Sequence, residues 1–178
     1  MDKYKTFSKR FYAGLLDGLV LLPAGFLDYL VIESKNTAVI ATGTVFSYCL
    51  FFVYSVYFHW STGQTLGKKW MGIRVIDKSE VRLLTLKQSF MRDSIYMLLQ
   101  VIGLVILVSQ IIELGEYPLD GSAIKSYLDW LSMLWFLLEI ATILTNRRRR
   151  AIHDFLAGSV VIRDEFWNNG GGINAKLI

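Results

Sequence analysis

The sequence predicts an all-α membrane protein: four transmembrane helices, with short cytoplasmic interfacial helices and a small two-stranded β pairing. Three observations lead there. Of 178 residues, 53% are hydrophobic and 19% charged, whereas a soluble domain carries about 25% charged residues. The mean hydropathy is +0.41, which places the chain in the membrane class before any motif is read. The apolar residues gather into four runs near the ~20 residues that a spanning helix needs.

The chain opens on MDKYKTFSKR, which holds Lys3, Lys5, Lys9 and Arg10. The first apolar run, 11–32, exceeds the ~7–15-residue core of a signal peptide and has no small-residue cleavage pattern at its end. It reads as a retained span. Pro23 falls mid-way along it and frees a carbonyl one turn earlier. Gly14 and Gly18, four apart, allow close approach of another helix. The second run, 38–59, contains Cys49, the single cysteine, so an internal disulfide is impossible.

A polar, basic segment follows at 60–93. Its first part, TGQTLGKKWMGIRVID (Thr62–Asp77), has a superficial likeness to a nucleotide-binding loop. A Walker loop needs four residues between its glycines and a Ser or Thr after the lysine. Here Gly63 and Gly67 enclose three residues, and Lys69 follows Lys68. The better reading is a short helix at the membrane surface. Leu66, Trp70 and Met71 oppose Lys68 and Lys69, whose stems snorkel, and Gly63 and Gly72 mark changes of direction. Two further spans follow, at 94–112 and 127–145, and then a tail, 146–178. The whole chain reads as one membrane domain.

Seventeen of the 19 Lys and Arg lie in the N-terminus, the 60–93 segment and the tail; Lys35 and Lys125 fall in the other two loops. The positive-inside rule then predicts both termini and the central loop in the cytoplasm, against a lipid bilayer with an anionic cytoplasmic leaflet. Trp60, Trp70, Tyr127 and Trp130 sit at the predicted interfaces, as amphipathic rings prefer.

The two halves echo each other. GIRVID (Gly72–Asp77) and GSVVIRD (Gly158–Asp164) each follow a basic stretch, and both read as short strands. An isolated strand leaves its backbone groups unpaired, so the two are expected to pair. Both halves run in the same direction through the membrane, which makes this a parallel repeat.

RFYAGLLDGLVL (Arg10–Leu21), GQTLGKKWMGIRVID (Gly63–Asp77), MRDSIYML (Met91–Leu98) and RRAIHDFLAGSVVIRD (Arg149–Asp164), in this order, resemble the RDD family of bacterial integral membrane proteins. The resemblance covers nearly all of the chain after residue 8. Arg10 and Asp17 match the first two letters of the family's name; Asp154 is the choice for the third, ahead of Asp93. The resemblance implies a multi-pass inner-membrane protein, with transport as one possibility, and brings no substrate.

Charged side chains inside spans mark the candidate site. Asp17 lies six residues into the first run, about 9 Å deep at 1.5 Å per residue. Such a carboxylate must face the bundle. Arg10 shares its helix face and is expected to reach toward it. Glu139, Gln100, Tyr54 and Ser55 are expected at a similar depth. One reading is a cation or proton site at Asp17 and Glu139, with Gln100 and Tyr54 as neutral ligands, because two adjacent carboxylates cannot both stay ionised cheaply. The other is a structural lock in which Arg10, Asp17 and Glu139 neutralise one another. Asp28 and Asp129 are expected in water near the outer ends. The second set of candidates is the loop motif itself: Gly63, Gln64, Gly67, Lys68, Gly72 and, in the tail, His153.

Two functions follow: a small ion-coupled or cation/proton transporter, or a non-transporting protein that regulates or stabilises a partner membrane protein, alone or as a homo-oligomer. The chain has no HExxH, no GxSxG and no Ser–His–Asp order, so no enzyme is expected. No metal site, cofactor or nucleic-acid partner is expected either, since ligand clusters and a basic face interleaved with aromatics are missing. The topology is open to direct test. Reporters fused after Ile178 or within Lys68–Lys87 should be cytoplasmic, and one within Glu113–Lys125 external; an external central loop would overturn the orientation.

Overall fold

The computed structural model describes residues 2–34, 36–115 and 123–169. Lys35, Lys176, the side chains of Asp28 and Lys125, and residues 116–122 of the predicted outer loop lie outside the described residues.

The chain forms α1 (Phe7–Ile32), α2 (Thr37–Ser61), α3 (Leu66–Trp70), β1 (Ile73–Asp77), α4 (Leu86–Leu114), α5 (Ala123–Thr145), α6 (Ile152–Leu156), β2 (Ser159–Arg163) and α7 (Asp164–Asn169). Among the described residues, α1, α2 and α4 are long and apolar enough to cross a membrane. The fourth expected span, α5, has 23 residues, which is sufficient length at about 1.5 Å per residue. It is not one of those three.

Local chemistry sets most of the ends. The Asn36 side chain accepts from the amides of Ala38 and Val39 and starts α2. Thr85 and Gln88 form a reciprocal capping box that starts α4, satisfying donors a helix leaves orphaned. This is why α4 begins eight residues before the predicted 94. Its first two turns are polar and belong to the cap described below, and apolar content alone could not reveal them. α4 ends at Gly115, whose φ of +76° suits glycine. α1 continues unbroken through Pro23.

Beyond the start of α1 and the ends of α2 and α5, the short elements gather into a cap. β1 and β2 pair antiparallel, Ile73 opposite Arg163 and Asp77 opposite Ser159. The expected pairing of the two segments is present. One face of the sheet buries Ile73, Val75 and Val161 with Ala13 of α1 and Leu84. The other buries Ile76, Val160 and Ile162 under Trp167 of α7, a helix the sequence reading did not foresee. By contrast the bundle contributes one small buried cluster, Ile40, Leu107 and Ile111. Along α1, side chains such as Phe11 and Phe26 are 53% and 62% exposed, as a lipid-facing helix requires.

The repeat is visible in the cap. Position by position, the second half lies 86 residues after the first. Leu66–Trp70 maps onto Ile152–Leu156, both five-residue helices. Gly72 maps onto Gly158, with φ of 62° and 61°. Gly63, φ 72°, maps onto Arg149, φ 47°. Under the same shift the pair Ile73–Arg163 becomes Ser159–Asp77, which is also a pair in the ladder. That reciprocity is the mark of a local two-fold axis. It is also why two halves of like orientation give antiparallel strands.

Candidate functional site

Three of the buried carboxylates, Asp17, Asp154 and Glu139, join the cap to the helices. Asp17 on α1 is 6% exposed. It accepts from the Tyr54 hydroxyl at 2.7 Å, the Thr65 hydroxyl at 2.6 Å and the Gly67 amide at 2.7 Å. The Tyr54 hydroxyl in turn accepts from the Leu66 amide at 3.0 Å, and the Thr65 hydroxyl from the Lys68 amide at 3.4 Å. All three first-turn amides of α3 are therefore satisfied, and a carboxylate sits where the helix dipole favours it. Gly67 is needed because α1 passes so close: a Cβ there would lie 2.2 Å from the Ala13 carbonyl oxygen.

Asp154, on α6, is fully buried. Arg10 of α1 donates to one oxygen at 2.7 Å and Arg92 of α4 to the other at 2.5 Å. The Ala151 amide and the Ser159 hydroxyl complete its shell at 3.0 and 3.1 Å. Burial opposes ionisation of Asp154, but the two guanidinium groups outweigh it and hold the carboxyl well below its usual range. Arg10 also donates to the Arg149 carbonyl at 2.9 Å. That contact helps to hold Arg149 in its left-handed conformation, which costs a non-glycine residue about 1–3 kcal/mol.

The third group is Glu139 with His153. Glu139, on α5, is 4% exposed. It accepts from the His153 amide at 3.2 Å and lies 2.7 Å from His153 Nδ1. This places a carboxylate on the second residue of α6, the position that Gly67 occupies in α3. Arg92 Nη2 approaches His153 Nε2 at 2.8 Å. An arginine only donates, so Nε2 accepts from Arg92, while Nδ1 faces the Glu139 carboxylate. Two guanidinium groups, Arg10 and Arg92, thus stand among two carboxyl groups, Asp154 and Glu139.

A fourth group, missed in the sequence reading, ties α2 to α4. Ser55 donates to Asp93 at 2.6 Å, and His59 Nδ1 lies 3.6 Å from the same oxygen. The available signal was the i, i+4 spacing of Ser55 and His59, one helical turn apart. The histidine does not stand between the other two, so this is no nucleophilic triad.

These positions correct three expectations. Arg10 pairs with Asp154 instead of Asp17, because α3 fills the space beside Asp17 and supplies its donors. Asp17 and Glu139 do not share partners: each serves a different short helix. Gln100 also lies apart from both carboxylates, among Tyr48, Tyr96 and Gln110 in a cavity of about 380 Å³ between α2, α4 and α5. Asp129, expected in water, is exposed and lines that cavity with Ser132. The remaining loop residues are structural neighbours. Gln64 donates to the Ile73 carbonyl at 2.9 Å and accepts from Arg74 at 2.7 Å, and Gly63 and Gly72 hold positive φ.

A second cavity, about 200 Å³, lies against the charge cluster and is lined by Arg10, Lys68, Arg92, Glu139 and His153. Tyr96 lines both cavities. Lys68 has no carboxylate within ion-pair distance among the described residues. Burial, with Arg92 nearby, pushes its ammonium down to about 8. The folded value lies below the usual ~10.4. A protonated Lys68 therefore costs stability below pH about 8, and the cost fades as the pH rises toward ~10.4. Among the described residues no group of three or more His, Cys, Asp or Glu could hold a metal ion.

The sequence model of the RDD family matches residues 4–158. The chain belongs to the RDD family. With its long apolar helices it is a membrane protein of that family. It is 24% identical over 157 residues to a protein of Haemophilus influenzae described as "Uncharacterized protein", covering 88% of this chain and 76% of that one. No solved structure matches. The RDD motifs converge here: Arg10 and Asp154 meet directly, while Asp17 anchors α3.

Two glycines separate the anchoring of α3 from general helix effects. Gly67→Ala should lower stability by about 1–3 kcal/mol, the usual cost of overpacking, because the obstacle is backbone. Gly14→Ala, with nothing within 4 Å of the new Cβ, should be neutral or gain up to about 1 kcal/mol from helix propensity. Thermal unfolding in mild detergent reads both.

Proposed function

We propose that this RDD membrane protein is a small ion-coupled transporter, a cation/proton exchanger, inserted with both termini and the cap in the cytoplasm and with α5 as its fourth span. The observation that supports this best is the pair of cavities in series. The inner one carries a group that can exchange a proton, Lys68, at about 8, with Glu139 and His153 on the same wall. The next runs along α4 from Tyr96 to Gln110, about 21 Å at 1.5 Å per residue, which is most of a ~30 Å hydrocarbon core.

Charge divides the work between them. The inner cavity faces Arg10, Arg92 and Lys68 and is a poor host for a bare cation. The outer one offers a single carboxylate, Asp129, with the oxygens of Gln100, Gln110, Ser132 and Tyr48, which suits a monovalent cation. A proton arriving at Lys68 raises the positive charge near Tyr96 and repels a cation beyond it. That repulsion is the coupling.

A second reading, a protein that docks to a partner membrane protein, rests on α1. Gly14, Gly18 and Gly25 have open space where a Cβ would stand, and their spacing puts them on one helix face.

Proteoliposomes holding a preset pH gradient decide between the two. Adding a monovalent cation should collapse the gradient with the native chain. Asp129→Asn should abolish the response, and Lys68→Gln should reduce it by about 100-fold or more, the scale for losing a general acid–base group. A gradient that no monovalent cation disturbs, with the protein inserted, would overturn transport and leave the docking reading.

A further inference from the structure

Where α1 begins and α5 ends, a cavity of about 590 Å³ is lined by Lys5, Lys9, Arg149 and Arg163 against one carboxylate, Asp2. Two of these cations are engaged: Lys9 donates to the Met71 carbonyl at 2.9 Å, and Arg163 lies 3.3 Å from Glu165. The Lys5 ammonium and the Arg149 guanidinium have no carboxylate partner among the described residues. Arg149 is placed here by a left-handed backbone turn at the position where the other half of the repeat has a glycine. The conformation is thus one that glycine adopts freely, yet it carries a cation.

The remaining walls are of two kinds. Phe7 and Leu144 supply an apolar side, continuous along α1 with Phe11, which is 53% exposed. The start of α1 supplies backbone donors. Its N-cap residue, Thr6, makes no side-chain cap; its hydroxyl accepts from Arg10 Nε at 3.2 Å.

We infer that this cavity is a binding site for the headgroup of an acidic phospholipid. The phosphodiester sits among Lys5, Arg149 and the first turn of α1, and the acyl chains run along Phe7, Phe11 and Leu144. Three features select that ligand. The surplus of cations calls for an anion. The cavity lies at the ends of spanning helices, where phosphates of a leaflet lie. The apolar wall calls for a ligand with hydrocarbon attached. A zwitterionic headgroup would bring its own cation against four others. This site is separate from the cavities assigned to transport and does not depend on that reading.

The test uses the full chain purified in mild nonionic detergent. Its melting temperature is followed while phosphatidylglycerol, phosphatidylcholine or inorganic phosphate is added at equal concentration. Phosphatidylglycerol should raise the melting temperature, and the other two should not. Lys5→Gln combined with Arg149→Asn, asparagine being tolerant of the left-handed turn, should need about 30-fold more phosphatidylglycerol for the same shift. Lys5→Gln alone, at an exposed position that leaves the fold intact, should need about 5-fold more. An equal shift with inorganic phosphate would assign the site to free phosphate and overturn the lipid. An equal shift with phosphatidylcholine would reduce the effect to general lipid solvation. Unchanged phosphatidylglycerol dependence in both variants would place the binding elsewhere and overturn the proposal.

Discussion

One fully buried carboxylate, Asp154, holds the architecture together. Arginines from two separate spanning helices donate to its two oxygens at 2.7 and 2.5 Å. An isolated buried charge of either sign would cost several kcal/mol. The arrangement is stable because charge is neutralised locally and every lone pair on the carboxylate finds a donor. Glu139 adds a second carboxyl group, and His153 lies between it and Arg92. The cluster therefore fixes α1, α4, α5 and α6 relative to one another at the level where apolar packing between the spans is sparse.

The same logic, applied once per half, docks the cap. Each half contributes a five-residue helix too short to be stable alone. Each is held by a carboxylate from a long helix on the amide of its second residue, Asp17 on Gly67 and Glu139 on His153. The cap's own core lies in the sheet between these helices, with Val75 opposite Val161. Hydrophobic burial stabilises the cap, and ionic and hydrogen-bonded contacts set where it sits. The two cavities that meet at Tyr96 are a consequence of that placement, since α3 and α6 form the floor of the inner one.

Much of this was legible in the sequence, for stated reasons. Long apolar runs, basic flanks and glycine-bounded β-branched segments report local physics, and they located the helices and the strand pair. Asp17 stood out because a charge within a span needs a partner, and Asp154 because the family resemblance pointed to it. The partners themselves were not legible. Arg10 lies two turns from Asp17 on one helix face, and that proximity suggested a pair. The actual competitor, the amide end of α3, is about fifty residues away in sequence (Gly67 against Asp17) and reaches Asp17 only through tertiary folding. Gln100 was misplaced because depth along a helix was read without azimuth. The Ser55–His59–Asp93 group was missed because each residue alone looks like an ordinary interfacial one. α7 and the first two turns of α4 are polar helices whose formation depends on the cap.

The central claim is that the paired charge on Asp154 anchors the cap. Its most direct test is Asp154→Asn, followed by reversible SDS-driven unfolding in mixed micelles. Asparagine keeps the shape and one acceptor oxygen but removes the charge, leaving Arg10 and Arg92 buried against each other. A loss of about 3–5 kcal/mol is predicted, the range for breaking a buried ion pair from one side. Unfolding indistinguishable from that of the native chain would contradict the claim.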